Sequence, residues 1–462
     1  MTSRTLIITA LFLSLNGLSA AAVAQTSAQP WLSDRRIGEG GGIRTGNLEF
    51  HPGVAGEVGY DSNYFQNSGQ EDATHNEPIV PTLRFRLTPS LSLSTLNQQR
   101  NTDAGGDARP KATFRLSAAA TYNELWAADE EYADNISDQR NLGGNIGSVL
   151  ALFPEDPWGA DLLANFGRVV QPGNDPGISA GFNRNTVDAG AGVNWKPGGG
   201  LFDWRLGYGM TYQFFDDSDF SSQNSTTHNV STRGRWRFFP RTALIYLGQA
   251  EFINYSDSTS RQNGSSPISA SLGLNGLAAD HFGLLVMAGW KSTFYENSPG
   301  VPVNNYDSFI GQAEMSWFLM PQPKLEPKGA SVGLSSITTG YLRDIRNSLL
   351  GDYYQRDRIY GNFSYFAGGV FLMTFSTGYS LISHPETRFS ATELQFAAFS
   401  ENRVDATAFG EYRSTDTFAL NATLRYNGSL NSTDIVAIPG RSDQDNVQFS
   451  RFEAYLGARW FY

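Results

Sequence analysis

The sequence predicts an all-β fold, a transmembrane antiparallel up-and-down β-barrel of about 18 strands. Three observations carry that expectation. Apolar and polar residues alternate with period two from end to end, the connections alternate between short turns and long polar loops, and the final alternating run ends on an aromatic.

The first segment, Met1 to Ala24, carries Arg4, an apolar run from Leu6 to Leu15 and a small-residue end, Ala22-Val23-Ala24. This is the pattern of a cleaved export signal, with the mature chain starting near Gln25. The run is too short, and too broken by Asn16 and Gly17, to be a membrane anchor, which needs about 20 apolar residues. Residues 25–47 then form a periplasmic N-terminal lead, too short for a plug domain, and residues 48–462 form the barrel.

At roughly 150 residues per soluble domain, such a length would ordinarily suggest two or three domains. The composition argues otherwise. Hydrophobic residues make up 40%, aromatics 13%, and Gly alone contributes 48 residues, so the apolar residues are few, large and spaced out. A single-layer sheet needs that distribution, and a packed multidomain core does not. Cysteine is absent, which excludes disulfides, thiol catalysis and thiolate metal sites. The net charge of -11 argues against nucleic acid as a partner.

The alternation is clearest from Thr82 to Leu96, where Leu83, Phe85, Leu87, Leu91 and Leu93 share one face and Arg84, Arg86, Thr88, Ser90 and Ser92 the other. It recurs in Ala112–Tyr122, Ala160–Phe166, Val187–Trp195 and Phe202–Phe214. Further copies start near Val230, Leu244, Ile268, Phe282, Phe309, Val332, Ile359, Val370, Val404 and Phe418, and the last runs from Phe452 to Tyr462. Less regular copies lie at Val54–Tyr60 and Ile146–Leu152.

Short turns are expected at Phe153–Pro157, Lys196–Gly200, Phe239–Arg241, Ala278–His281 and Ala367–Gly369. Long loops are expected at Asp61–Asn76, Ala128–Asn141, Gln171–Asn185, Asp216–His228, Tyr255–Pro267, Tyr295–Tyr306 and Asn427–Val447. Short periplasmic turns and long extracellular loops are the outer-membrane arrangement. Acids such as Glu71, Asp72, Asp129, Glu130 and Glu131 concentrate in the outer loops.

Two places depart from the pattern. Pro89 lies inside an alternating strand, where it cannot donate to the ladder, and predicts a bulge. Leu381 to Asn402 reads as an extra hairpin or as an extracellular extension of one long strand; apolar parity from Leu394 and Phe396 through Val404 favours the extension, which keeps the strand number even. At the other end, Leu456, Ala458, Trp460 and Tyr462 place alternate apolar residues on the lipid face. Trp460 and Tyr462 resemble the C-terminal signal read by the barrel assembly machinery.

Barrels of 16 to 18 strands leave an aqueous channel. With the apolar positions facing lipid, Arg84, Arg86, Arg115, Arg205, Arg233, Arg235, Arg237, Arg356, Arg358, Arg425, Arg451 and Arg459 point inward. The inward acids are Glu57, Asp161, Asp188, Asp203, Glu251, Glu314, Asp405, Glu411 and Glu453. Arginine outnumbers lysine 29 to 5, and its planar fork suits carboxylate or phosphate. Arg233, Arg235 and Arg237 form a same-face stripe about 13 Å long. The stripe has two readings: a wall brace paired with acids on neighbouring strands, or a track for an anionic solute.

The stretch Gly42 to Phe65, GIRTGNLEFHPGVAGEVGYDSNYF, resembles the opening of the outer-membrane β-barrel porin family associated with exopolysaccharide gene clusters, through His51, Pro52, Tyr60, Asp61 and Asn63. A second segment, Gly340–Asp344 with Asn347–Tyr354, looks like the same family's late strand and loop. The resemblance implies a polysaccharide export pore in the cell outer membrane that works with a periplasmic export protein. A diffusion porin for small solutes, general or anion-preferring, fits the same residues. A surface hydrolase is the third alternative: the five histidines, His51, His75, His228, His281 and His384, stand at no catalytic motif spacing, and no enzyme activity and no cofactor are expected. Asp216-Asp217-Ser218-Asp219 lacks the Gly and Glu of a calcium loop and reads as a solvated acidic loop.

Overall fold

The computed structural model describes residues 29–33, 41–71, 77–96, 110–172, 181–198, 200–216, 218–257, 263–279, 281–296, 303–319, 335–348, 352–368, 370–388, 394–435 and 445–462. The expected leader Met1–Ala24, Asp72 and His75 lie outside the described residues, as do parts of several long loops.

Eighteen long strands follow one another in the chain. They are β1 Leu48–Asp61, β2 Thr82–Thr95, β3 Ala112–Ala127, β4 Asn141–Leu152, β5 Trp158–Pro172 and β6 Gly181–Trp195. Next come β7 Phe202–Phe215, β8 Ser225–Phe239, β9 Thr242–Tyr255, β10 Ser265–Ala279, β11 Phe282–Tyr295 and β12 Tyr306–Phe318. The last six are β13 Ser336–Asn347, β14 Tyr353–Ala367, β15 Phe371–His384, β16 Phe399–Thr415, β17 Phe418–Ser429 and β18 Phe449–Phe461. Each pairs antiparallel with the next, and β18 returns to β1 from Gly53↔Phe461 to Asp61↔Glu453. The sheet is therefore a closed barrel, as the alternation predicts. A short strand, Ile43–Thr45, folds back on the start of β1.

Strands spaced about 4.8 Å apart and tilted about 40° give 18 strands a backbone diameter of roughly 35 Å. No helix among the described residues is long and apolar enough to cross a membrane, so crossing falls to the strands. Their outer faces suit it. On β11, Phe282, Leu284, Val286, Trp290 and Phe294 are exposed, while Leu285 and Met287 between them are buried inward. Exposed aromatics mark both rims, with Trp158, Trp236 and Trp317 at the short-turn end and Trp126, Trp290 and Phe294 at the other.

Several expectations are corrected. The strand expected near Val332 begins at Ser336, and Val332 lies outside the described residues. The connections from β2 to β3 and from β12 to β13 are long although they leave the short-turn end; 97–109 and 320–334 are outside the described residues. Pro89 produces no bulge. The β1–β2 ladder runs unbroken through Val54↔Pro89, whereas the β2–β3 ladder skips Thr88 and Pro89 and resumes in the same register. The missing N–H is thus absorbed by a gap, bridged by the hydroxyls of Thr88 and Thr121 at 3.0 Å. Leu381–Asn402 is not an extension of one long strand: it ends β15, begins β16 and carries between them a separate small ladder, Thr387–Arg388 with Leu394–Phe396.

Where the last strand meets the first, the inner wall is braced by buried charge. Asp61 accepts from Arg84 Nη1 at 3.0 Å and from Arg451 Nε and Nη2 at 2.9 and 2.5 Å. Glu453 accepts from Arg84 at 3.2 Å and from the Tyr455 hydroxyl at 2.8 Å. The Tyr455 ring lies over Gly59, where a Cβ would stand 2.2 Å from the ring, and the Arg86 guanidinium stacks 3.6 Å from its centroid. Removing one partner of a buried pair leaves the other charge uncompensated. Asp61→Asn is expected to destabilise the barrel by about 3–5 kcal/mol, measured as an earlier loss of the compact, heat-modifiable band in urea; an unchanged midpoint would contradict a bracing role.

Candidate functional site: the barrel lumen

The strands aim every second side chain inward, and the predicted arginines all lie on that face. The structure divides them between two walls. On the seam wall, Arg84 and Arg86 are 2% exposed, and Arg86 Nη2 holds Glu57 at 3.0 Å. Arg425 stands opposite Glu453 in register. Arg459 grips Glu411 with two bonds of 2.7 Å, and Arg413 adds a third at 3.0 Å. Next to this wall, Arg356 holds Asp344 through two bonds of 3.1 and 3.0 Å, and Arg358 holds Asp405 at 2.8 Å. These arginines are wall structure: paired, and in the seam cluster closed to water.

The opposite wall, from β5 to β8, is wetter. Arg205 binds Asp161 with bonds of 3.1 and 2.5 Å, and both side chains keep 17–18% exposure. The guanidinium lies flat across Gly192, where a Cβ would stand 2.5 Å from Nη2. Arg235 approaches Asp203 only to 3.7 Å, and Arg237 has no acidic group at ion-pair distance among the described residues. Arg233 is next to Arg205 in register across β7 and β8, within reach of the same two aspartates. The stripe is therefore partly neutralised: Asp161 and Asp203 stand beside Arg205, Arg233 and Arg235, and a third inward acid of this wall, Asp188, accepts from Thr211 at 2.6 Å.

Three features escape the sequence reading. Gln29 and Trp31, in the N-terminal lead, lie inside the barrel, with Gln29 Nε2 donating to Glu57 Oε2 at 2.6 Å and to Thr88 at 3.0 Å. A four-residue helix, Pro30–Ser33, carries Trp31. No motif marks it; the one signal is a Trp in an otherwise polar lead. Ile245, Leu247, Leu285 and Met287 form an apolar patch on the inner face of β9 and β11, masked in the sequence by the continuous apolar run Ala243–Leu247. Asp61 and Glu401 are inward acids beyond those expected.

At the outer rim, Tyr64 and Val80 of the first outer loop and Ile136 of the second pack together with Leu125 near the end of β3. Asn63 donates to the Asn67 carbonyl at 2.7 Å and to the Ser450 carbonyl at 3.2 Å, tying that loop to the start of β18. Asp352 accepts from the Asn304 amide at 2.7 Å and from Asn263 at 3.2 Å, and burial raises its carboxyl above the usual carboxylate range. Asp216 holds Arg168 at 2.6 Å and Asn185 at 2.7 Å, while Asp217 is outside the described residues. His51 contacts the Tyr462 carbonyl at 3.2 Å, His228 meets the Tyr208 hydroxyl at 2.8 Å, and His384 stacks on Phe399. His281 sits in the short turn before β11, its carbonyl accepting from the Phe318 amide at 2.9 Å. Trp460 and Tyr462 stack 6.4 Å apart on the lipid face of the final strand.

Comparison with known proteins gives the following. No protein-family profile and no curated protein matches the chain. Among solved structures it is similar to OccK5 (OpdH) of Pseudomonas aeruginosa, with 11% identity over 89% of this chain and 98% of that one, at a TM-score of 0.43. It is similar to the FrpB iron transporter of Neisseria meningitidis, with 10% identity over 95% and 83% at 0.45, and to a bacterial polysaccharide outer membrane secretin, with 9% over 91% and 100% at 0.33.

A closed sheet with an apolar belt outside and charge inside is an outer-membrane barrel, and its 18 strands enclose a pore. In that pore Asp161 holds Arg205 down. Asp161→Asn is expected to free a cationic group into the channel and raise the chloride-to-potassium permeability ratio, read from the reversal potential across a salt gradient; a lower ratio would contradict this geometry.

Proposed function

We propose that the barrel passes hydrated anionic solutes, and that its cargo in the cell is an exported acidic polysaccharide delivered by a periplasmic export protein. The observation that carries the anionic part is the Arg233, Arg235, Arg237 stripe on the wetter wall, where positive charge exceeds negative. Carboxylates along a sugar chain would exchange from one guanidinium to the next at a spacing of about 6.6 Å, two residues of strand. Bidentate geometry favours carboxylate over chloride at each step. The polysaccharide part rests on the resemblance of Gly42–Phe65 to the exopolysaccharide-linked family. Assembly of the barrel would proceed through its C-terminal Trp460 and Tyr462, as for other outer-membrane barrels.

A second reading, an anion-preferring porin for small solutes, is favoured by the presence of Gln29 and Trp31 in the lumen, which narrows the passage.

In planar bilayers the protein is expected to be anion-selective, and replacing Arg233, Arg235 and Arg237 together by Gln is expected to lower the chloride-to-potassium permeability ratio roughly threefold, as removal of fixed charge from a focusing wall does. An unchanged ratio would contradict the anionic reading. In the native host, deletion of the gene should abolish surface polysaccharide; intact polysaccharide with reduced small-solute uptake would sink the export reading and leave the porin.

A further inference from the structure

The N-terminal lead is held in the lumen by a fitted set of partners. Trp31 is 7% exposed and packs against Ala55 of β1, Leu372 of β15 and Phe409 of β16. Its indole N–H points at Glu57 Oε1 at 3.4 Å, and the Arg459 guanidinium lies 5.7 Å from its ring centroid. Gln29 reaches Glu57 and Thr88 on β1 and β2, and its carbonyl oxygen accepts from Thr121 of β3 at 3.5 Å. Pro30 and Trp31 close a pocket also lined by Thr374, Glu411 and Arg413. Glu57 thus shares one carboxylate oxygen between Arg86 and Gln29 and turns the other to Trp31.

The position of this segment matters for passage. Its partners centre on the seam, around β18, while the arginine stripe lies on β8, nearly halfway round an 18-strand wall. The gap between the two is the route a solute would take. Leu372 is the second residue of β15 and Arg413 is near the end of β16, so the pocket opens at the short-turn, periplasmic end. The segment belongs to no strand of the sheet, and nine residues separate Ser33 from Ile43, where the chain first joins a ladder, a tether of up to about 35 Å when extended. That reach is comparable with the barrel's diameter of roughly 35 Å. The segment can leave the pocket without breaking a single ladder bond.

We infer that Gln29–Ser33 is a detachable strap: docked, it narrows the pore from the periplasmic side, and undocked, it opens the full passage. The strap is an autoinhibitory contact whose key is Trp31. A periplasmic partner or an incoming polymer that occupies the Trp31 pocket would displace it.

The chain has no cysteine, which makes the test direct. Pro30→Cys with Thr374→Cys places one thiol on the strap and one on the pocket. The disulfide should form in folded barrels and hold them in the docked, low-conductance state, since the crosslink removes the undocked population. Trp31→Ala with Gln29→Ala, which removes the docking contacts, should raise single-channel conductance roughly twofold or more above that of the crosslinked protein while keeping the heat-modifiable band of a folded barrel. Failure of the disulfide to form in folded barrels would place the strap elsewhere and overturn the inference. Equal conductance of the crosslinked protein, with the crosslink confirmed by mass, and the Trp31→Ala, Gln29→Ala protein would overturn it too. The inference rests on the pore reading, which fails separately: a barrel that conducts nothing even in the Trp31→Ala, Gln29→Ala protein is not a pore at all.

Discussion

In hydrocarbon a strand edge exposes a row of N–H and C=O groups that nothing can satisfy, so the first strand of this sheet has to meet the last. That constraint organises the rest of the molecule. It requires an even number of strands when both ends of the barrel segment lie at the short-turn rim. It also gathers β1, β2, β17 and β18 into one seam, where the two ends of the barrel sequence supply opposite charges. Asp61 and Arg451, 390 positions apart in the chain, share two hydrogen bonds there. Any one of these charges alone would be costly to bury; as a network with Arg84, Glu453 and Tyr455 each is answered by others. The network also specifies register, because a slip of one residue would turn Asp61 and Glu453 toward lipid.

Closure creates an inside, and the inside is not uniform. Glycines on the inner face let large side chains lie flat: Tyr455 over Gly59 and Arg205 over Gly192. Side chains laid against the wall leave room in the centre, and a guanidinium gripped by two carboxylate oxygens cannot swing out to meet a solute. The seam wall is built in this way, and with the strap docked on it that side of the lumen is closed to water. The wall from β5 to β8 holds its arginines less completely, since Arg235 is 3.7 Å from its acid and Arg237 has none within ion-pair distance among the described residues. Arg205 is a brace held by Asp161, and Arg235 in the stripe beside it approaches Asp203 only to 3.7 Å.

Most of the fold is legible in the sequence because period-two alternation is a local signal, repeated eighteen times. Thr82–Leu96 and Phe202–Phe214 declare their two faces without reference to anything else in the chain. Inward arginines are legible for the same reason. Pairing is not: that Arg84 meets Glu453 depends on which strands adjoin after closure, a relation spread across 369 positions. Pro89 was readable as a ladder defect, yet a bulge and a two-residue gap remove the same N–H, and only the register of β2 against β3 separates them. The apolar inner patch on β9 was hidden because Ala243–Leu247 is apolar on both faces. Trp31 was hidden because one aromatic in a polar lead has no periodicity to read.

Thiol accessibility along β8 tests the central claim most directly, because the native chain offers no competing cysteine. Single cysteines at each position from Val230 to Arg237 would be exposed to a membrane-impermeant reagent in intact outer membranes. A water-filled barrel in this register predicts labelling at Ser231, Arg233, Arg235 and Arg237 and protection at Val230, Thr232, Gly234 and Trp236. Uniform labelling, uniform protection or the opposite phase would contradict the account.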